Sequence, residues 1–271
     1  MKTVRELPGA LHAAAGLGSF VFRDLCRRRL FTGFAGLAVF FVLGSTFLVQ
    51  IDFGGDARRF VLDFCFGALA LFGAVLAVVL TAATLREALE LGTLDLLLAR
   101  PVGRGTVFAG LFAGVAAALA LFVLVAGGVT AVLAWRYSPS AETAGLPWNG
   151  FFFALWVAWL RLLVIASMVY LAAAVVDSAP VAVLLGTLLV IVGEVQGIAA
   201  GVWGQGGGGA GTALLLAALR LVPDLRYLQA GIFLHGADVT VSGVTAISLY
   251  GLLFAAGYAV LAVFVLHRRA G

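Results

Sequence analysis

Six stretches of about 20 or more mostly apolar residues, separated by short polar segments, divide the chain. They cover 30–49 ("LFTGFAGLAVFFVLGSTFLV"), about 60–85, about 106–135, 151–176, 180–203 ("PVAVLLGTLLVIVGEVQGIAAGVW") and about 243–266. At about 1.5 Å of rise per residue, each run is long enough to cross the ~30 Å hydrocarbon core of a bilayer as a helix. The pattern therefore predicts an all-α membrane protein with six transmembrane helices and both termini on one side.

Three polar or mixed segments depart from this regular plan. Residues 9–29 combine apolar positions (Leu11, Phe20, Val21, Phe22, Leu25) with a basic end, which predicts an N-terminal amphipathic helix at the membrane interface. This sets residues 1–29 apart from the six-helix domain of 30–271. Between spans two and three lies "LREALELGTLDLLLARPVGR" (85–104). Leu91, Leu94, Leu97 and Leu98 recur there at helical spacing, with Glu87, Glu90 and Asp95 around them. A short amphipathic helix is expected, ending before Pro101, because a proline disfavours helical geometry in the residue before it. The third segment, 204–242, is too long for a turn. Its "ALLLAALRLV" (213–222) is too short to span and reads as a re-entrant or interfacial helix.

Composition agrees with lipid as the solvent. Apolar types make up 63% of the chain and charged types 11%, against the roughly half and quarter usual in globular domains. The net charge of +4 does not point to nucleic acid, because the basic residues gather at the ends of the spans. Eleven lysines and arginines fall on the side of the termini and the 85–104 loop, five on the other, and Arg161 lies inside a span. The positive-inside bias places both termini and that loop in the cytoplasm, as expected of a multi-pass protein of a bacterial inner membrane. The acids of the loop are repelled by an anionic inner leaflet and favour a protein partner over headgroups. A signal peptide is not expected, since "LHAAAGLGSFVF" is interrupted at once by "RDLCRRR".

Little in the chain suggests chemistry of its own. "GQGGGGAG" (204–211) lacks the Lys-Ser/Thr of a phosphate-binding loop and reads as a flexible connection. His12, His235 and His267 have no metal-ligand spacing, and Cys26 and Cys65 read as small packed residues. Neither a metal site, a catalytic residue nor a directly bound cofactor is expected. The aromatics of "WNGFFFALWVAW" (148–159) and Trp203 suit an interfacial belt.

"EALELGTLDLLLARPVGRGTVFAGLFAG" (87–114) resembles the signature of type-2 ATP-binding-cassette (ABC) permeases: acids, Gly-Thr, a leucine-rich stretch, Pro, Arg, and a span containing glycine. The basic-acidic "FRDLCRRRLF" (22–31) and the Leu-Pro segment "LVPDLRYL" (221–228) add to the likeness, whereas Leu111 stands where many members have lysine. The resemblance implies a permease subunit of an ABC exporter. Its coupling helix would dock on a separate ATPase subunit, which binds ATP and magnesium, and a second permease copy would complete a homodimer. Carried onto this chain, the coupling residues are Glu87, Glu90, Gly92, Thr93, Leu94, Arg100, Pro101 and Arg104.

Two further features concern the spans themselves. Counted from the turn "VDSAP" (176–180), Arg161 and Glu194 stand at about the same depth, roughly 21–23 Å away. An isolated charge at the bilayer centre costs about 2.5–3.5 kcal/mol or more, so an ion pair facing the bundle interior is expected. That pair serves structure, a polar substrate path or gate, or contact with lipid or another subunit, and a secondary transporter using it is the alternative function. A membrane scaffold that recruits an ATPase to an envelope machine is another. Gly110 and Gly114 form a small-x-x-x-small face suited equally to intrachain packing and to dimerisation.

Overall fold

The computed structural model describes residues 7–49, 57–90, 104–137, 148–205, 221–234 and 241–269. Among them are seven α-helices, two short 3-10 helices and no strand. The helices are α1 (Leu7–Arg27), α2 (Arg29–Val49), α3 (Ala57–Glu90), α4 (Arg104–Arg136), α5 (Trp148–Val175), α6 (Ala179–Gln205) and α7 (Val241–Arg269). The 3-10 helices, Leu225–Leu228 and Ala230–Phe233, lie between α6 and α7.

Helices α2 to α7 are each long and apolar enough to cross a membrane, and they correspond to the six apolar runs. The protein is a multi-pass membrane protein. Most of these helices extend a few residues beyond the hydrophobic run, because charged residues that water or headgroups can solvate are still good helix formers. The difference matters at α3, which continues through Leu85–Glu90 instead of stopping at about 85. Glu87 and Glu90 therefore sit on the last turns of the second span, with no helix break between them and the membrane segment. The rest of the predicted coupling helix, 91–103 with Gly92, Thr93, Leu94, Arg100 and Pro101, lies outside the described residues, as does the predicted 213–220 part of the re-entrant segment.

Helix α5 is the axis of the bundle. Of its most apolar window 72% is buried, against 17% for α2, 17% for α6 and 22% for α7. Those three spans consequently turn broad apolar faces outward, where lipid or another subunit can cover them. Buried polar groups tie α5 to its neighbours: Tyr170 Oη donates to the Phe108 carbonyl on α4 (3.0 Å), and Trp159 Nε1 donates to the Ala116 carbonyl (3.1 Å). Trp156 Nε1 reaches Ser248 Oγ on α7 at 2.9 Å. Trp159 thus spends its N–H group in the half-buried α5–α4 contact, whereas Trp156 bonds to α7 at an exposed position, and Trp148 at the helix start packs on Phe151 and Phe152. The Trp203 side chain is outside the described residues.

Helix α1 packs most extensively on α4. Its Leu17, Val21 and Leu25 recur every four residues on one face, and Val21 and Leu25 are buried. Phe20, about 100° around the helix from Val21, is exposed.

Candidate functional site

One charged cluster forms where α1, α2 and α3 meet. Arg28 occupies the bend between α1 and α2, so its side chain is free of either helix's packing face and projects across to α3. Its guanidinium grips the Glu87 carboxylate by two parallel hydrogen bonds, Nη1 to Oε1 at 2.7 Å and Nη2 to Oε2. The same side chain donates to Asp24 one turn back on α1, from Nε at 3.0 Å and Nη2 at 2.8 Å. This fork-to-carboxylate geometry is the strong form of an Arg contact. The hydrogen bond to Glu87 and then that to Asp24 raise the Arg28 pKa well above its ordinary value, against the opposing effect of partial burial. Nearby, burial pushes the Cys26 thiol up, away from the reactive thiolate. Glu87 thus faces inward to the α1–α2 bend. Nothing is described of the Glu90 and Arg104 side chains; their backbones end α3 and begin α4.

The glycine face of α4 is occupied from within the chain. A Cβ on Gly110 would lie 2.9 Å from Leu17 Cδ2, and one on Gly114 would lie 2.6 Å from Val21 Cγ1 and 3.0 Å from the Gly18 carbonyl oxygen. The two glycines let the backbones of α1 and α4 approach, and α1 covers the surface that a second copy would otherwise use.

Inside the bundle, Arg161 of α5 is hydrogen-bonded through Nη2 to Glu194 Oε1 of α6. Arg161 Nε is buried and has no acceptor among the described residues. The guanidinium lines a cavity of about 250 Å³ between α3, α5 and the two 3-10 helices, with Asp63 of α3 and Gln229 also on its wall.

The segment 221–234 closes this region. Tyr258 Oη donates to the Leu221 carbonyl at 2.6 Å, and Tyr250 Oη accepts from the Asp224 N–H at 2.8 Å. Tyr258 is seventeen residues into α7, about 25 Å along its axis, so the chain at Leu221 reaches that depth along α7 with its side chain exposed. From there it climbs to Phe233, whose ring packs on Phe153 near the start of α5. Asp224 caps the first 3-10 helix by accepting from the Arg226 N–H at 2.9 Å. Pro223 and Leu225 rest on Gly193 of α6, where a Cβ would meet Leu225 Cγ at 3.0 Å, and Asp224 rests on Gly197, where a Cβ would meet its Oδ2 at 2.7 Å. Sequence reasoning missed Gly193, Gly197, Tyr250 and Tyr258. The four-residue spacing of the glycines around Glu194 was the available signal.

With six membrane helices and a charged corner at the edge of the 85–104 loop, the molecule has the architecture of a transporter's membrane subunit. The chain matches the family described as ABC-2 family transporter protein over residues 22–265, nearly its whole length, and it belongs to that family. The family is one of permease subunits that normally lack an ATPase of their own, and membership implies a partner ATPase subunit. No curated relative matches the chain.

Proposed function

We propose that this chain is the permease subunit of an ABC exporter, and that it couples ATP hydrolysis in a separate subunit to movement of a substrate out of the inner membrane. The observation that carries the coupling half of this reading is the Arg28 clamp. It links the last turns of α3, which lead directly into the 85–104 loop, to the bend between α1 and the first span. A push on that loop by a nucleotide-closing partner is then felt by two spans and by α1 together. ATP and magnesium are bound by the partner, and Glu90, Gly92, Thr93, Leu94, Arg100, Pro101 and Arg104 form the surface it meets.

The export direction rests on the resemblance of 87–114 to exporter permeases. A homodimer is in keeping with the outward apolar faces of α2, α6 and α7. The excess of lysine and arginine on the loop side supports an inner-membrane orientation with both termini in the cytoplasm.

The clamp is tested by charge exchange. In proteoliposomes holding the permease with its ATPase, Glu87→Arg is expected to lower permease-dependent ATP hydrolysis about tenfold, and Arg28→Glu/Glu87→Arg to restore most of it, as for a coupling of roughly 1.4 kcal/mol. An exchange variant as impaired as the single variant would remove the clamp from the coupling path.

A further inference from the structure

An interfacial amphipathic helix usually holds a bilayer by sinking its apolar stripe into it, and α1 has no stripe left to sink. Leu17 and Val21 pack on Gly110 and Gly114 of α4, and Leu25 is buried one turn further on. At about 100° per residue, Phe20, Arg23 and Arg27 fall within about 60° of one another around the helix, and all three are exposed. What α1 offers its surroundings is therefore an aromatic ring and two guanidinium groups.

The chain does not neutralise that charge. Asp24, the only acid within α1, is held by Arg28, which also takes Glu87. Among the described residues no carboxylate pairs with Arg23, Arg27 or exposed Arg29. The depth of these arginines is set by the helix that follows. The first span, α2, begins at Arg29, two residues after α1 ends, so Arg27 and Arg29 stand where that span enters the bilayer. From there α2 turns Leu30, Leu37, Phe40 and Phe41 outward, an apolar surface for acyl chains.

Guanidinium groups at headgroup level meet phosphate oxygens in a geometry that suits paired hydrogen bonds. A zwitterionic headgroup brings its own cation to the same place and offsets the attraction; an anionic headgroup does not.

We propose that the exposed face of α1, with Phe20, Arg23, Arg27 and the adjoining Arg29, binds anionic phospholipid headgroups. Phosphate oxygens accept from the arginines, and the Phe20 ring lies in the interface beside them. The contact belongs to α1 and the start of α2, and it does not depend on what the chain transports or on its ATPase.

The full chain is purified in detergent without its partner, exposed to an equal mixture of phosphatidylglycerol and phosphatidylethanolamine, and washed at low salt; retained lipid is then quantified by mass spectrometry. An arginine near an anionic surface contributes about fivefold, so the parent is expected to retain phosphatidylglycerol over phosphatidylethanolamine by about tenfold or more. Arg23→Gln/Arg27→Gln should lose most of that preference at unchanged melting temperature. Arg59→Gln/Arg136→Gln removes the same charge from exposed positions at the start of α3 and the end of α4, and should keep it. A parent without preference, an Arg23→Gln/Arg27→Gln variant that keeps it, or an equal loss in Arg59→Gln/Arg136→Gln overturns the proposal. An Arg23→Gln/Arg27→Gln chain that keeps the lipid preference but no longer recovers the ATPase from native membranes assigns the face to the partner subunit instead.

Discussion

Replacing Glu194 with leucine while Arg161 remains destabilises the protein by about 3 kcal/mol, the usual loss when one partner of a buried ion pair is removed. The reason lies in the partner left behind. Arg161 is only 15% exposed and its Nε already lacks an acceptor among the described residues, so losing Glu194 takes from the guanidinium the carboxylate that it is hydrogen-bonded to. The Arg161→Met/Glu194→Leu double variant should regain most of the lost stability, since two apolar side chains of similar volume avoid the desolvation cost of both ions. Thermal unfolding in detergent, followed by the fraction remaining monodisperse, separates the single from the double variant. If the double variant proves stable but inactive, the pair belongs to function; if it is stable and active, the pair only holds α5 to α6.

Gly114→Leu is expected to release α1 from α4. Its Cβ would already lie 2.6 Å from Val21 Cγ1, and the Gly18 carbonyl at 3.0 Å is backbone that cannot rotate away. Overpacking of this kind costs about 1–3 kcal/mol, and here the strain is relieved by letting go of a single peripheral helix instead of unfolding the bundle. Limited trypsin digestion should then cleave at Arg23 and Arg27 much faster than in the parent, while the six spans stay intact. Gly36→Ala is the matched control: a Cβ there meets nothing within 4 Å, and alanine favours helix over glycine. Were Gly114→Leu to change oligomeric state and leave the digestion rate unaltered, the glycine face would serve an interface between copies.

The six spans were legible because a bilayer demands about 20 apolar residues per crossing, and nothing else in a sequence produces that signal six times. Helix ends were less so. The run ends where charge begins, but the helix runs on through "LREALE", whose residues all favour it. The amphipathic pattern of residues 9–29 identified a helix but not its neighbour, since Leu17, Val21 and Leu25 would look the same facing lipid as facing Gly110 and Gly114. Counting from the 176–180 turn gave Arg161 and Glu194 equal depth, because two helices joined by a short turn keep a fixed register. The cavity beside Arg161 was out of reach: one of its walls is the irregular 228–231 segment, and no periodicity reports where such a segment folds back. Arg28 was one arginine among four in "RRR" and its surroundings, distinguished only by the bend on which it sits.

The central claim, that the 85–104 loop is where a separate ATPase acts on this permease, is tested most directly by pull-down of the tagged chain from detergent-solubilised native membranes, with mass spectrometry of what accompanies it. An ABC ATPase should be recovered with the parent chain and lost with Glu90→Lys/Leu94→Asp, a change at the last residue of α3 and in the segment after it, expected to leave the six spans folded. Recovery of the ATPase equally with parent and variant, or its absence from both under conditions that keep other membrane complexes together, would contradict the account.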